Sequence, residues 1–178
     1  MALAVPSRSA GRFTSRVGGG SAFFVKFYYI TVIFTIHRLD AYDAADADDA
    51  PHTQIGLADG AYSASQDSHV SREYWIEFGQ ALQSFPQTPK HEALFESGSR
   101  DAGYYCYIRL RAYERDMAGH AAFEVEMTNH STGASHRSSH FHVFCEAAAL
   151  NRLGHSLERW ARSDSPKFEF TDQNHDWP

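Results

Sequence analysis

Two histidines set two residues apart, His140 and His142 in the stretch HRSSHFHVF, are the side chains with the clearest chemical potential in this chain. On an extended strand side chains alternate with a period of two, so both imidazoles turn to one face. Imidazole nitrogens with a neighbouring carboxylate make a ligand set suited to zinc. The carboxylate candidates are Glu124 and Glu126, which alternate with apolar residues in the preceding stretch HAAFEVEMT. His130 and His136 lie in the polar link between the two stretches and can join by proximity. The competing reading is a solvated sheet face with histidine opposite glutamate, because a spacing of two recurs on any strand and no motif fixes a third ligand. An acid–base pair of Glu124 and His142 can also be drawn there. The chain has no G-x-S-x-G, no H-E-x-x-H and no Walker loop.

These residues need a sheet to hold them. YYCYIRLRAY (104–113), HAAFEVEMT (120–128) and SSHFHVFC (138–145) read as three successive strands with short polar links, which predicts an antiparallel meander. Alternation sorts each strand into two sets. Cys106, Ile108, Leu110 and Ala112, then Ala121, Phe123, Val125 and Met127, then Phe141, Val143 and Cys145 form the apolar face. The opposite face carries Tyr105, Tyr107, Arg109, Arg111 and Tyr113, then Glu124 and Glu126, then His140, His142 and Phe144. An arginine row beside a glutamate row, itself beside a histidine row, is stabilised by cross-strand charge pairs of roughly 0.2–1 kcal/mol each.

Two helices are predicted to cover the apolar face. SREYWIEFGQALQSFP has Ser71 in the N-cap position, Trp75, Phe78, Leu82 and Phe85 on one stripe, and Pro86 as its stop. EAAALNRLGHSLERWARS repeats that stripe with Leu150, Leu153, Leu157 and Trp160; Gly154 within it suggests a close helix-to-sheet approach, and His155 should face water. TQIGLADGAYSAS reads as a hairpin turning at Asp59-Gly60. Glu92 to Glu96 suggests a short edge strand, and KFEF a final one. No internal repeat is visible. The expected fold class is α+β: two layers, a mostly antiparallel sheet with two main helices packed on one face.

Residues 1–20, rich in Ser, Gly and Arg, are expected to be a disordered leader, and 21–178 a single α+β domain. The stretch 22–36 is aromatic and β-branched and reads as a strand rather than a signal or anchor. The aspartates of DAYDAADADDAP lack the residue order of a calcium loop and read as a polar loop. A formal charge of −6 disfavours nucleic acid as a partner. No membrane association and no cofactor are expected. The two cysteines, Cys106 and Cys145, read as buried free thiols on the first and third strands, beyond disulfide reach, which points to the cytoplasm.

The order of GAYSASQDSHV, EFGQALQSFP, YYCYIRLRAY and EAAALNRLGHSLERWA resembles that of small bacterial α+β domains similar to polymorphic-toxin immunity proteins of the WapI type. The resemblance spans about residues 52 to 170 and rests on core and turn residues. It implies stoichiometric binding of a cognate toxin, with no catalytic residues. The Tyr/Arg/Glu face, Tyr105, Tyr107, Arg109, Arg111, Tyr113, Glu124 and Glu126, is the expected binding surface. The alternative is a metal-binding or metal-dependent hydrolytic enzyme using His140 and His142.

Overall fold

The computed structural model describes residues 10–11, 27–28, 30–40, 50–88, 90–101, 103–116 and 118–174. The expectations for most of residues 1–29 and for the aspartate-rich loop at 41–49 lie outside them. The elements run β1 (Ala10–Gly11), β2 (Phe27–Tyr28), β3 (Ile30–Arg38), β4 (His52–Ala58), β5 (Ser63–His69), α1 (Arg72–Gln83), β6 (Glu92–Gly98), β7 (Tyr107–Glu114), β8 (His120–Thr128), β9 (Ser138–Glu146), α2 (Ala147–Ala161) and β10 (Lys167–Asn174). The fold is α+β with antiparallel strands, as expected. Apart from the short β1–β2 pair, the strands divide into two four-stranded sheets, ordered β10-β3-β4-β5 and β6-β7-β8-β9.

The break falls between β5 and β6, where α1 intervenes, and the last strand of the chain joins the first sheet. The predicted KFEF segment is the start of an eight-residue strand that pairs with β3, from Lys167 opposite His37 to Asn174 opposite Ile30. Arg38 pins this return: its guanidinium donates to the carbonyls of Ala161, Ser163 and Ser165 and lies 4.2 Å over the Trp160 ring. The β6–β9 sheet is a consecutive meander followed by α2; in the other sheet β3, β4 and β5 form a meander followed by α1, and β10 is added beside β3. The two sheets thus have the same strand count and a helix after β5 and after β9, a likeness the sequence hides because β10 comes last in the chain.

One core serves both units. Phe34 of β3 meets Phe123 of β8 at 6.4 Å between ring centroids, Phe78 of α1 meets the same ring at 6.1 Å, and Trp75 stacks on Phe95 of β6 at 4.5 Å. Every stripe residue predicted for the two helices is buried. Gly154 serves a helix-to-helix approach rather than the expected helix-to-sheet one. A Cβ on Gly154 would stand 2.5 Å from the Gly79 carbonyl oxygen, and one on Gly79 would stand 3.0 Å from that of Gly154. Each helix therefore presents a glycine where it crosses the other. Asn151 reinforces the crossing by donating to the carbonyls of Leu82 and Phe85 at the end of α1. Ser71 occupies the N-cap position of α1 but makes no side-chain cap bond.

The Asp59-Gly60 hairpin forms as predicted: the Asp59 carboxylate accepts from the amides of Ala61 and Tyr62, and Gly60 takes φ +81°. The strand expected from Tyr104 starts later, at Tyr107. Residues 99–106 are taken up by the link from β6, and Gly98, at φ +77°, passes so close to Cys106 that a Cβ there would strike its carbonyl oxygen.

Candidate functional site

The outer face of the β6–β9 sheet bears the rows read from the sequence. The registers set Arg109 opposite Glu126, Arg111 opposite Glu124, Glu124 opposite His142 and Glu126 opposite His140. The contacts run diagonally. Oε2 of Glu124 accepts from Arg109 Nη1 at 3.0 Å and Arg111 Nε at 2.6 Å, and Oε1 lies 2.9 Å from His140 Nε2. Diagonal neighbours lie within reach of long side chains on adjacent strands. The Glu124 side chain is only 10% exposed, so its carboxylate is the hub of the face. Burial pushes its pKa up, but the hydrogen bonds from His140 and Arg111 and the charges of both arginines prevail and hold it below the ordinary carboxylate value.

Around the hub each cation has a second anion. Arg111 Nη1 reaches Glu92 at 3.0 Å, and Arg109 Nε lies 3.6 Å from Glu96. Glu126 stands opposite His140 as expected, and its carboxylate pairs with Arg100 at 2.8 Å. Tyr113 carries the Arg111 guanidinium 4.9 Å over its ring, and its hydroxyl lies 3.1 Å from His142 Nδ1. The His140 and His142 rings are 5.5 Å apart, and both residues are exposed.

Two tyrosines depart from the expected open row. Tyr107 is buried at 4% exposure, because its hydroxyl donates to Glu96 at 2.6 Å and the Arg100 guanidinium covers its ring. Burial first, and then the bond to Glu96, raise its pKa. Tyr105 precedes β7, where alternation has not begun, and its ring meets His69 edge-on at 6.2 Å. It stands away from the Arg109–Glu124 cluster, beside β5.

Residues that the sequence reading did not assign to the face complete it: Glu92, Leu94 and Glu96 on β6, and Arg100 in the link to β7. Alternation along EALFESG was the available signal for the three on β6, since Ala93 and Phe95 are buried and Leu94 is 48% exposed. Leu94, Arg100, Tyr107 and Arg109 line an open depression of about 550 Å³ on this face. Neither His130 nor His136 joins the pair: His130 Nε2 bonds the Ser99 carbonyl at 2.8 Å, and His136 is exposed in the link. Among the described residues, Glu124, His140 and His142 form the one group of three able to hold a metal ion, with ligand atoms within 4.8 Å of one another.

The cysteines are buried and free, as predicted. Burial, reinforced by the charges of Asp172 and Glu146, drives the Cys145 thiol to about 12, so it is no nucleophile at neutral pH. No helix among the described residues is long and apolar enough to cross a membrane.

Comparison with protein-family models and with curated proteins finds no match. Among solved structures, the crystal structure of WHY1 from Arabidopsis thaliana is similar over 88% of this chain and 91% of that one, at 10% identity and a TM-score of 0.44.

Proposed function

We propose that this protein is a non-catalytic binding module that docks a protein partner on the outer face of the β6–β9 sheet, in the manner of an immunity protein that neutralises a cognate toxin by stoichiometric binding. The observation that carries the reading is the pre-ordering of that face. Arg109 and Arg111 are each held by two carboxylates around one exposed leucine, Leu94. Long side chains fixed before binding lose less entropy on binding, and an apolar residue ringed by polar ones is the anatomy of an interface patch. The formal charge of −6 favours a basic partner surface and faster encounter with it. The buried free thiols suit a reducing, cytosolic setting.

The test is co-purification with a toxin encoded by a neighbouring gene, using the full chain and Leu94→Asp. The expected result is a one-to-one complex that the wild-type chain forms and Leu94→Asp loses. Absence of any such neighbour, or a complex indifferent to Leu94→Asp, overturns the reading.

A further inference from the structure

We infer that Glu124, His140 and His142 form a binding site for a divalent transition-metal ion of the zinc type, with Tyr113 as its orienting residue. The site shares Glu124 and Tyr113 with the docking face, but its histidines take no part in the docking argument and its test reads metal rather than partner binding.

Four observations lead there. The first is the state of Glu124. Both arginines engage Oε2, which leaves Oε1 as the oxygen turned to the histidines. A carboxylate clamped through one oxygen presents the other as a fixed monodentate ligand. The second is spacing. Zinc bonds of about 2.0–2.1 Å place two tetrahedral ligands about 3.3 Å apart. Oε1 and His140 Nε2, hydrogen-bonded at 2.9 Å, stand close to that spacing, and an ion would take the place of the proton they share. The full set spans up to 4.8 Å, so closure needs a movement on the order of 1 Å by exposed imidazoles on the edge strand of the sheet.

The third observation is the Tyr113 hydroxyl, 3.1 Å from His142 Nδ1. When Nδ1–H donates to the phenolic oxygen, Nε2 keeps its lone pair for the ion. This is the outer-shell contact that fixes the tautomer of a metal-bound histidine. The fourth is charge. The connected network holds four carboxylates, Glu92, Glu96, Glu124 and Glu126, against three guanidiniums, Arg100, Arg109 and Arg111. The arginines beside Glu124 are therefore offset, and a cation is not repelled. Two imidazoles and one carboxylate favour zinc, nickel or copper over magnesium or calcium, which prefer all-oxygen shells. Three protein ligands leave at least one position open to water.

The experiment is calorimetric titration of the untagged, chelator-treated full chain with zinc chloride, with visible absorption of the cobalt form as a second readout of coordination. One ion per chain is expected. His140→Ala/His142→Ala should weaken binding more than about 100-fold, and Tyr113→Phe about 10-fold, the scale of an outer-shell contact. His52→Ala/His69→Ala removes the stacked histidine pair of the other sheet, whose rings are 5.2 Å apart, and should change nothing. If the double variant fails to fold, His142→Ala alone gives the same reading. No saturable binding by the wild-type chain, or stoichiometric binding that survives loss of His140 and His142, overturns the inference. Neither outcome touches the docking reading, which is decided by Leu94→Asp.

Discussion

The two sheets share a plan, yet their outer faces differ in kind. On the β6–β9 face, three side chains, Arg109, Arg111 and His140, meet at the nearly buried carboxylate of Glu124. On the outer face of the other sheet, the corresponding positions hold Thr35, Gln54, Ser65 and Asp67. There the Gln54–Asp67 bond of 3.2 Å is exposed, and His52 lies 3.7 Å from Asp67. The strand count is shared and the chemistry is not. Both sheets lean on one core, while a single outer face carries side chains that need one another.

The contrast can be broken at its foundation, the helix crossing common to both halves. Gly154→Val places a Cβ against backbone atoms that cannot yield, 2.5 Å from the Gly79 oxygen and 2.7 Å from the Gln83 nitrogen. It should cost more than about 3 kcal/mol, a large share of the 5–15 kcal/mol typical of a domain, as read by urea unfolding. The gain of about 1 kcal/mol in helix propensity expected for Gly to Ala will not rescue Gly154→Ala.

The next test separates the faces. Glu124→Gln leaves two arginines short of a shared anion, and should cost about 2–3 kcal/mol by the same measurement. Asp67→Asn on the other sheet, where the contacts are exposed, should stay within about 0.5 kcal/mol. Equal costs would erase the distinction between hub and surface.

A weaker effect concerns pH. Glu124 has a folded pKa below its ordinary value, and so do Glu158, held at about 2 by hydrogen bonds from Gln83, Arg162 and Gln80, and Asp116, held down mainly by its bond to His120. A carboxylate with a depressed folded pKa adds stability above its unfolded value, and that stability is lost as pH falls through the folded pKa. Stability should therefore decline from about pH 4.5, near the ordinary carboxylate pKa, downward towards 2. Glu124→Gln should flatten that decline, and Asp67→Asn should leave it unchanged, in unfolding curves recorded across the acid range. The smallest effect is expected for Arg152→Ala, which removes an ion pair to Asp172 from a largely exposed arginine and should cost at most about 1 kcal/mol.

Much of this was legible in the chain because it depends on local periodicity. The stripes of α1 and α2 and the full extent of β8, His120 to Thr128, follow from spacings of 3.6 and 2, and so do the arginine, glutamate and histidine rows. What escaped the sequence depends on distance along the chain or on fine geometry. No local pattern indicates that Lys167 will pair with His37, or that β5 and β6 will end up in different sheets. Gly154 announced a close approach but not its partner, Gly79, because the contact is between helices 75 positions apart. The diagonal bond from His140 to Glu124 reflects side-chain reach across the register rather than the register itself, and the covering of Tyr107 depends on Arg100, which lies in a link.

The central claim is that the β6–β9 face, and not its counterpart, is the docking surface. Its most direct test is to measure the affinity of the neighbour-encoded partner for Leu94→Asp and for Ser65→Asp, an exposed position on the opposite outer face. The account predicts that Leu94→Asp weakens the complex by about 100-fold or more, as for a central interface residue, and that Ser65→Asp binds like the wild type. Equal affinities for the two variants, or a loss confined to Ser65→Asp, would contradict it.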